Sequence, residues 1–282
     1  MIAESTKAAR AGIGWSAAGV ACALVLAALW AAPLLWALST ALRPELETVS
    51  ADFHWLPRTW TLDAFATTLG AGNLLRWLFN SALVALAVTV VTMAISLMAA
   101  YAFSQLRFRG RTLLFTMAML AFLLPFEALL VPLFRTMNQL GMINTYAGIV
   151  LPQVVSPVVI YVFKGFFDEI PPDFREAALM DGAGPLRVLW NVYLPLSGNI
   201  VWAMAIVTFI AAWNNFLWPF IIVTSNEMMT IPLGLTQTYD AFGVRYAQLM
   251  AAALLGALPV ALAYVLFQRR VTQGFLAANG LK

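Results

Sequence analysis

Six long apolar runs, separated by shorter polar segments, set the pattern of this chain. One helix needs about 20 consecutive apolar residues to cross a bilayer core, and each run is close to that length. The pattern therefore predicts an all-α polytopic membrane protein with six transmembrane helices, at about Trp15–Leu38, Asn80–Ser104, Leu113–Phe134, Tyr146–Phe163, Ile200–Val223 and Leu249–Phe267.

The composition excludes a soluble globular fold. Of the 282 residues, 62% are hydrophobic and 10% are charged, which is more apolar surface than a soluble core of this size can bury. The chain has one cysteine, Cys22, and one histidine, His54. A disulfide within the chain and a cysteine or histidine cluster are therefore excluded, and we expect no metal site.

Lysine and arginine are shared unequally between the two sets of connecting segments. Cytoplasmic loops retain these residues, and the short link Arg107–Arg111 has three arginines in five positions. We therefore expect this link and both chain termini to be cytoplasmic, which makes residues 43–76, 138–144 and 224–245 external. Membrane orientation accounts for the positive charge without a nucleic acid partner.

A polar insert at residues 170–195 interrupts the apolar pattern between the fourth and fifth runs. Pro171–Asp173 is typical of a helix start, because proline fits the first turn and a carboxylate favours the positive end of the helix dipole. Asp181–Gly182 should end that helix, since glycine accepts a positive φ. Pro185 should start a second helix that runs through Trp190, and Pro195 should end the element before the fifth span. The insert is thus predicted to be a helix, a turn and a helix.

The insert resembles the coupling loop of ABC importer permeases. The resemblance is carried by Glu176-Ala177-Ala178, Asp181-Gly182-Ala183 and Leu194-Pro195. Other stretches narrow it to the maltose-type carbohydrate permeases, in particular their second permease subunit: Tyr101–Phe103, Arg107–Gly110, Leu124–Pro125, Trp213–Pro219 and Ile231–Leu235. The resemblance covers almost the whole chain from about Leu38 and implies a type I ABC importer permease fold.

The family resemblance also implies partners. Such a subunit pairs with a second, homologous permease, two cytoplasmic ATPase subunits and an external solute-binding protein, in the bacterial cytoplasmic (inner) membrane. This chain has no Gly-Lys dipeptide, so it cannot form a phosphate-binding loop of the Gly-x-x-x-x-Gly-Lys-Ser/Thr type. We therefore expect a transport subunit without enzyme activity or a cofactor of its own, with ATP and magnesium on the partner ATPase.

Three parts of the chain follow from the resemblance. Residues 1–73 would hold an N-terminal cytoplasmic segment, the first transmembrane helix and an external loop. Residues 74–270 would form the ABC importer transmembrane core with the coupling loop at 170–195, and residues 271–282 would be a cytoplasmic tail.

The resemblance implies roles for particular residues as well. It assigns ATPase coupling to Glu176, Ala177, Ala178, Asp181, Gly182, Ala183 and Pro195. It places the external segment 224–245 where permeases of this type reach the binding protein, with candidate contacts at Thr230, Pro232, Tyr239 and Asp240. The alternatives are a surface helix that only joins two spans, and a loop that touches only the partner permease.

Polar and aromatic residues within the apolar runs are candidates for the translocation pathway. A carboxyl such as Glu127 is costly in a span unless it faces a cavity or a partner, and Pro125 and Pro132 predict a bent helix around it. Asparagine amides bond sugar hydroxyls and tryptophan rings stack on sugars, which adds Trp213, Asn214, Asn215 and Trp218. A structural task for Glu127 and an interfacial belt role for the tryptophans are the alternatives.

The sequence thus favours a membrane-spanning permease subunit of an ATP-driven importer for a sugar or sugar-like solute, such as a polyol, a sugar derivative or glycerol phosphate. The subunit would form half of the translocation pathway and couple it to the ATPase subunits. A proton-coupled secondary carrier that uses Glu127 and an intramembrane enzyme are the alternatives from other classes. Each depends on one membrane-embedded carboxyl.

Overall fold

The computed structural model describes residues 17–278 except 51, 53, 71–72, 238 and 241–242, and it describes no side chains at 239, 240 and 269–278. Within this part the chain is helical almost throughout. The predictions for the first 16 residues and for the end of the tail, 279–282, lie outside the described residues.

Fifteen helices are numbered in chain order among the described residues. They are α1 (Ala17–Ala41), α2 (Glu45–Thr48), α3 (Asp63–Gly70), α4 (Leu74–Gln105), α5 (Arg111–Phe122), α6 (Phe126–Gln139), α7 (Tyr146–Val150), α8 (Pro157–Asp168), α9 (Pro172–Met180), α10 (Pro185–Val188), α11 (Leu194–Leu196), α12 (Gly198–Trp213), α13 (Leu217–Ile222), α14 (Ile231–Gly234) and α15 (Tyr246–Ala278). Shorter elements are the 3₁₀ turns Leu151–Gln153, Asn226–Met228 and Leu235–Gln237, the π-helical turn Leu189–Tyr193, and the strands β1 (Tyr239–Asp240) and β2 (Gly243–Val244).

Three helices, α1, α4 and α15, are each long and apolar enough to cross a membrane, the last over Tyr246–Gln268. They match the first, second and sixth predicted spans. Three bent helix pairs bring the number of spans to as many as six. The helical, multi-span fold that the apolar runs predict is confirmed.

The third predicted span, Leu113–Phe134, is not one uninterrupted helix. Helices α5 and α6 meet at a bend of 101°, and Pro125 is the N-cap of α6. Proline lacks the N–H of a helical turn and restricts the residue before it. The predicted bend is therefore confirmed at Pro125, whereas Pro132 stays inside α6.

The fourth and fifth predicted spans are also interrupted. The helical segment Tyr146–Gln153, which is α7 with the turn that follows it, meets α8 at 48°. The Ser156 hydroxyl caps α8 by accepting the N–H of Val159. Helix α12 ends at Trp213, and α13 begins only at Leu217. Apolar runs predict the length of a span but not its breaks, and each break leaves backbone groups that lipid cannot satisfy.

The described residues form two compact units. The smaller contains the residues up to Thr68 and Val244–Leu254, and the larger contains Leu69–Gly243 and the residues from Leu255 onward. The larger unit is built around α4, which packs against both α8 and α12. The predicted boundaries at 73 and 270 follow membrane topology rather than compactness and stay predictions.

In the smaller unit, the segment after α1 is folded around a buried arginine. Arg43 is 5% exposed. Its guanidinium donates to Ser39 Oγ at 2.9 Å and lies 5.0 Å from the centre of the Trp36 ring. The Glu47 carboxylate accepts the backbone N–H of Arg58 at 2.9 Å, and this bond is the largest cause that lowers the pKa of Glu47.

Candidate functional site

A helix–turn–helix, residues 172–196, occupies the polar insert. Its first helix, α9, has Pro172 and Asp173 in its first turn. Proline is preorganised for this position, and the carboxylate favours the positive end of the helix dipole. The predicted first helix and its start are confirmed.

The turn after α9 is a Schellman motif. The N–H of Ala183 donates to the carbonyl of Ala178 at 3.0 Å, and the N–H of Gly182 donates to the carbonyl of Leu179 at 3.0 Å. These two bonds satisfy carbonyl groups at the end of the helix and require a left-handed residue between them. Gly182 takes that position with a φ of +76°, so the predicted turn is confirmed.

The second helix runs from Pro185 to Leu196 and contains a π-helical turn. In this turn the N–H of Leu194 donates to the carbonyl of Leu189, five residues back. The wider turn accommodates Pro195, which lacks an N–H and would crowd the carbonyl one α-helical turn earlier. The second helix therefore continues beyond Trp190, its predicted last residue, to Leu196, which is one residue past the predicted end of the element at Pro195.

The second helix also meets α12 at 86°. Because α12 is apolar and belongs to a candidate span, a segment at a right angle to it runs along the membrane surface. The right angle is the geometry expected of a helix–turn–helix that lies across one face of the membrane.

The base of the helix–turn–helix is anchored in the apolar core of the larger unit. Val188 and Tyr193 are 0% exposed and Leu189 is 1% exposed. They share one buried cluster with Tyr101 of α4 and Phe167 of α8, and the Tyr193 ring lies 5.2 Å from each of these two rings. Packing this dense has no slack, so a displacement of the helix–turn–helix must move α4 and α8.

The outer face of the helix–turn–helix is exposed and largely apolar. Its exposed large side chains are Phe174, Leu179, Met180, Leu186 and Trp190. The predicted coupling residues divide into two groups: Glu176, Ala177, Asp181, Gly182 and Pro195 are exposed, while Ala178 and Ala183 are half-buried against the core cluster. Several large apolar side chains exposed on one short element are typical of a protein docking site.

A second region, residues 224–237, is tied to the start of α4, and we call it the clamped loop. Asn80 is 0% exposed, and its Nδ2 donates to the carbonyl oxygens of Glu227 and Met229 at 2.8 Å each. Its Oδ1 accepts the hydroxyl of Tyr146 at 2.6 Å. One buried side chain therefore fixes two points of the loop backbone.

Asn144 and Trp77 hold other points of the clamped loop. The Oδ1 of Asn144 accepts the N–H groups of Thr224 and Ser225 at 3.0 and 3.1 Å. Asn144 has a φ of +56°, a conformation that asparagine tolerates better than most residues. The Nε1 of Trp77 donates to the carbonyl of Asn226 at 3.0 Å.

The four predicted binding-protein contacts are placed differently. Thr230 is 3% exposed, and Pro232 is half-buried in α14. The backbone of Tyr239 and Asp240 forms β1, and their side chains lie outside the described part. The assignment stays a prediction, although the burial of Thr230 suits packing better than docking.

Helix α4 separates the helix–turn–helix from the clamped loop. Near its start, Ser81 Oγ accepts the N–H of Ile231 at 2.8 Å, and near its end, Leu97 and Tyr101 join the cluster that anchors the helix–turn–helix. A helix rises 1.5 Å per residue, which puts about 30 Å between Ser81 and Tyr101, the thickness of a bilayer core. The two regions therefore lie at opposite faces of a membrane that α4 crosses.

Two of the predicted pathway residues are core residues in this structure. Trp218 is 0% exposed and Trp213 is 3% exposed. Their Nε1 atoms donate to the carbonyl oxygens of Gly148 at 3.0 Å and Gly256 at 3.2 Å. A ring that is enclosed and bonded in this way has no free face for a solute, so the geometry favours packing.

The other three candidates keep polar surface. Asn214 is exposed, and Asn215 is half-buried and donates to Gln153 Oε1 at 2.6 Å. Glu127 is exposed in the first turn of α6, and among the described residues it has no hydrogen bond or ion pair. Its role stays a prediction.

The described part of the chain contains no group of three or more histidine, cysteine, aspartate or glutamate side chains that could hold a metal ion. The prediction of ATP and magnesium concerns a partner chain and stays a prediction.

The sequence patterns did not identify the residues that hold the two regions in place. The burial of one group could have been predicted from the sequence. These residues, Val188, Leu189 and Tyr193, have the spacing of apolar positions on the buried face of an amphipathic helix. Asn80 and Asn144 carry no such signal, since their partners lie about 80 to 150 residues away along the chain.

Comparison with known proteins places the chain among transport components. Residues 92–275 match the family described as binding-protein-dependent transport system inner membrane component. The chain is 32% identical to the arabinooligosaccharides transport system permease protein AraQ of Halalkalibacterium halodurans, over 89% of this chain and 90% of the relative. It is 34% identical to the sulfoquinovosyl glycerol transport system permease protein SmoH of Agrobacterium fabrum, over 89% and 88%.

A solved structure has the same fold. It is a chain in the crystal structure of a bacterial ABC transporter involved in the import of the acidic polysaccharide alginate. The TM-score is 0.80 at 22% identity, and the match covers 89% of this chain and 95% of that one.

Proposed function

Since the chain belongs to the family of binding-protein-dependent transport system inner membrane components, we propose that it is the permease subunit of an ATP-driven importer for a sugar or sugar-like solute. The two relatives named above carry an arabinooligosaccharide and a sulfoquinovosyl glycerol in their names. The first solute is neutral and the second is anionic, and both contain sugar rings. The solute class, rather than one solute, is what these relatives support.

The observation that carries the proposal is the anchored helix–turn–helix. It presents exposed Glu176 and Met180 at its tip, and it buries Val188, Leu189 and Tyr193 in the core of the spans. A docking surface with a rigid base can convert movement of a bound protein into movement of the helices. We therefore assign ATPase coupling to this element.

The motor and the second half of the pathway belong to other chains. The absence of a Gly-Lys dipeptide removes the phosphate-binding loop that ATP hydrolysis of this type needs. We assign ATP and magnesium to two cytoplasmic ATPase subunits that dock on the helix–turn–helix. A second, homologous permease completes the pathway, and closure of the ATPase pair rocks the two permeases against each other.

The orientation of the chain follows from the same assignment. With the helix–turn–helix at the cytoplasmic face, the clamped loop lies about 30 Å away along α4 at the external face, where an external solute-binding protein delivers the solute. The arginines of Arg107–Arg111 then lie on the cytoplasmic side, as do both termini. The other assignment for the clamped loop is a contact to the partner permease alone.

The proton-coupled carrier is not supported. Such a carrier needs polar partners around its membrane-embedded carboxyl, whereas Glu127 has no hydrogen bond or ion pair among the described residues. The family of the chain also points to a transporter that works with a binding protein.

The test is uptake by the complete importer in proteoliposomes, with ATP inside and the binding protein outside. The solutes are radiolabelled arabinotriose and sulfoquinovosyl glycerol, and co-purification of the ATPase is measured in parallel. We expect Glu176→Ala and Gly182→Pro to abolish most uptake, because Glu176 lies on the docking surface and proline cannot adopt a φ of +76°. Glu227→Ala, the same substitution of an exposed glutamate at the other end of α4, is the matched control for co-purification of the ATPase, which it should leave unchanged.

Each outcome has a definite meaning. Loss of uptake and of ATPase co-purification in the two helix–turn–helix variants, with normal ATPase co-purification in Glu227→Ala, supports the coupling role. Normal uptake and normal ATPase binding in Glu176→Ala and Gly182→Pro would rule it out. Uptake that continues without ATP and stops when an ionophore collapses the proton gradient would support the proton-coupled carrier instead.

A further inference from the structure

A cavity of about 270 Å³ lies inside the larger unit, midway along α4. Val88 and Thr92 of α4 line it, and residues of α8 and α12 complete the wall. Thr92 lies between Ser81, which holds the clamped loop, and Tyr101, which packs on the helix–turn–helix. The cavity is therefore close to the middle of the membrane that α4 crosses.

Two interrupted helices meet at this cavity. Gln153 and Ser156 flank the break before α8, and Asn215 lies in the break after α12. All three line the cavity, and the Nδ2 of Asn215 donates to Gln153 Oε1 at 2.6 Å. Non-helical backbone at membrane depth is tolerated where it lines a polar cavity or is buried in protein. The breaks mark this cavity as a polar site within the spans.

The cavity wall carries hydroxyl groups without a partner. Thr92 is 0% exposed, and its Oγ1 makes no hydrogen bond. Thr208 of α12 also lines the cavity, and among the described residues its hydroxyl has no hydrogen bond. A buried hydroxyl is destabilising while unpaired, and a ligand that offers hydroxyl groups would remove that penalty. By contrast, the hydroxyl of Thr89, one turn before Thr92, donates to the carbonyl of Ala85 at 2.7 Å.

The chemistry of the wall is neutral. Its polar groups are hydroxyls and amides, its other residues are apolar, and no described charged side chain lines it. Hydroxyls and amides each donate and accept hydrogen bonds, as sugar hydroxyls do. The volume of the cavity is just below the roughly 300–1,000 Å³ that is usual for small-molecule sites. A cavity of this size is suited to one ring of a larger solute, the rest of which would extend toward a second subunit.

We propose that this cavity is a solute subsite, in which Thr92 and Thr208 bond hydroxyl groups of a sugar ring. Asn215 and Gln153 form its amide wall. The proposal rests on the proposed function, because it places part of the transported solute on this subunit. It also replaces Trp213 and Trp218, whose N–H groups are bonded within the core, with residues that line the cavity and whose hydroxyls are unpaired.

The test is the KM of ATP-driven uptake for Thr92→Val in the complete importer, with whichever of arabinotriose and sulfoquinovosyl glycerol the wild type transports. Valine keeps the shape of threonine and removes its hydroxyl. Loss of one hydrogen bond to the solute raises the KM by roughly two- to tenfold. The Tm of the complex should stay the same or rise, because an unpaired buried hydroxyl is removed.

Two matched variants separate binding from folding. Thr89→Val makes the same change one turn away, where the hydroxyl is paired and does not line the cavity. Ser96→Ala removes another unpaired hydroxyl of α4 that is outside the cavity. Both should leave the KM unchanged, and Thr92→Ser should restore it. An unchanged KM in Thr92→Val, or an equal rise in Thr89→Val and Ser96→Ala, would overturn the subsite.

A second measurement needs no solute. In a Cys22→Ala background, Thr92→Cys should react with the membrane-impermeant cation MTSET much faster than Thr89→Cys, because Thr92 lines the cavity and Thr89 does not, and a solute subsite must be reached by water. If Thr92→Cys reacts only with a lipophilic thiol reagent, the cavity faces lipid and the subsite is wrong. If the wild-type importer shows no ATP-driven uptake at all, the proposed function is wrong. Failure of the subsite is therefore distinguishable from failure of the proposed function.

Discussion

The helix–turn–helix and the clamped loop are held at opposite ends of the same helix by different forces. At the end of α4, Val188, Leu189 and Tyr193 are fixed by apolar packing. At its start, the loop is fixed by hydrogen bonds from the side chains of Asn80 and Asn144 to backbone groups. Apolar packing is strong and non-directional, whereas hydrogen bonds require a defined geometry.

This difference suits the two proposed tasks. A joint that transmits force needs a base that moves together with the spans, and a densely packed aromatic cluster provides such a base because it transmits a displacement to its neighbours. A surface that receives another protein needs a fixed backbone, which bonds from buried amides provide. Substitutions in the two regions should therefore fail in different ways.

The largest effect is expected from Tyr193→Ala. Removing a fully buried aromatic side chain costs about 3–5 kcal/mol, and here it also removes the rings' contacts with Tyr101 and Phe167. We expect a marked fall in the Tm of the purified subunit and loss of coupling between ATP hydrolysis and uptake. Tyr193→Phe is the control, because the hydroxyl makes no hydrogen bond, and it should behave as the wild type. A destabilised Tyr193→Phe would contradict the apolar nature of the anchor.

The next effect is expected from Asn80→Ala at the other end of α4. This change leaves the carbonyl groups of Glu227 and Met229 and the hydroxyl of Tyr146 without their partner, at a cost of about 2–3 kcal/mol. We expect faster amide hydrogen exchange confined to the clamped loop and weaker binding-protein-stimulated uptake, with ATPase docking unchanged. Asn80→Asp, which keeps the shape but loses the donor, should give the same loop signal. Equal exchange in loop and helix–turn–helix would show that the two regions are not held independently.

Local signals in the sequence predicted the helix–turn–helix well. Pro172 and Pro185 mark helix starts and Gly182 marks a turn through their own backbone preferences, so neighbouring residues were enough. The same reasoning ended the second helix at Trp190 and the element at Pro195. Both ends are too early, because a π-helical turn accommodates the proline and the helix continues to Leu196.

Features that depend on distant residues were not predictable. The apolar run Leu113–Phe134 reveals its total length but not the 101° bend at Pro125. Trp218 has a polar N–H and an apolar ring, so its sequence position fits a pathway as well as a core. Only the tertiary contact with Gly148, 70 residues away, decides between them.

The smallest effect, and the finest test of the comparison, is expected from two alanine substitutions in the turn of the helix–turn–helix. Gly182 has a φ of +76° and Gly184 has a φ of −71°, and an added β-carbon would meet no atom within 4 Å at either position. Only the backbone conformation differs, so Gly182→Ala should cost about 1–2 kcal/mol, while Gly184→Ala should stay within about 0.5 kcal/mol of the wild type. Gly182→Asn should recover part of the loss, because asparagine tolerates this conformation at Asn144 in the same chain. The measurements are the free energy of unfolding and the binding of the ATPase. Equally weakened ATPase binding in Gly182→Ala and Gly184→Ala would mean that the added methyl group disturbs the docking surface. Weakened ATPase binding in Gly182→Ala alone would mean that the turn itself sets the angle at which the ATPase meets the spans.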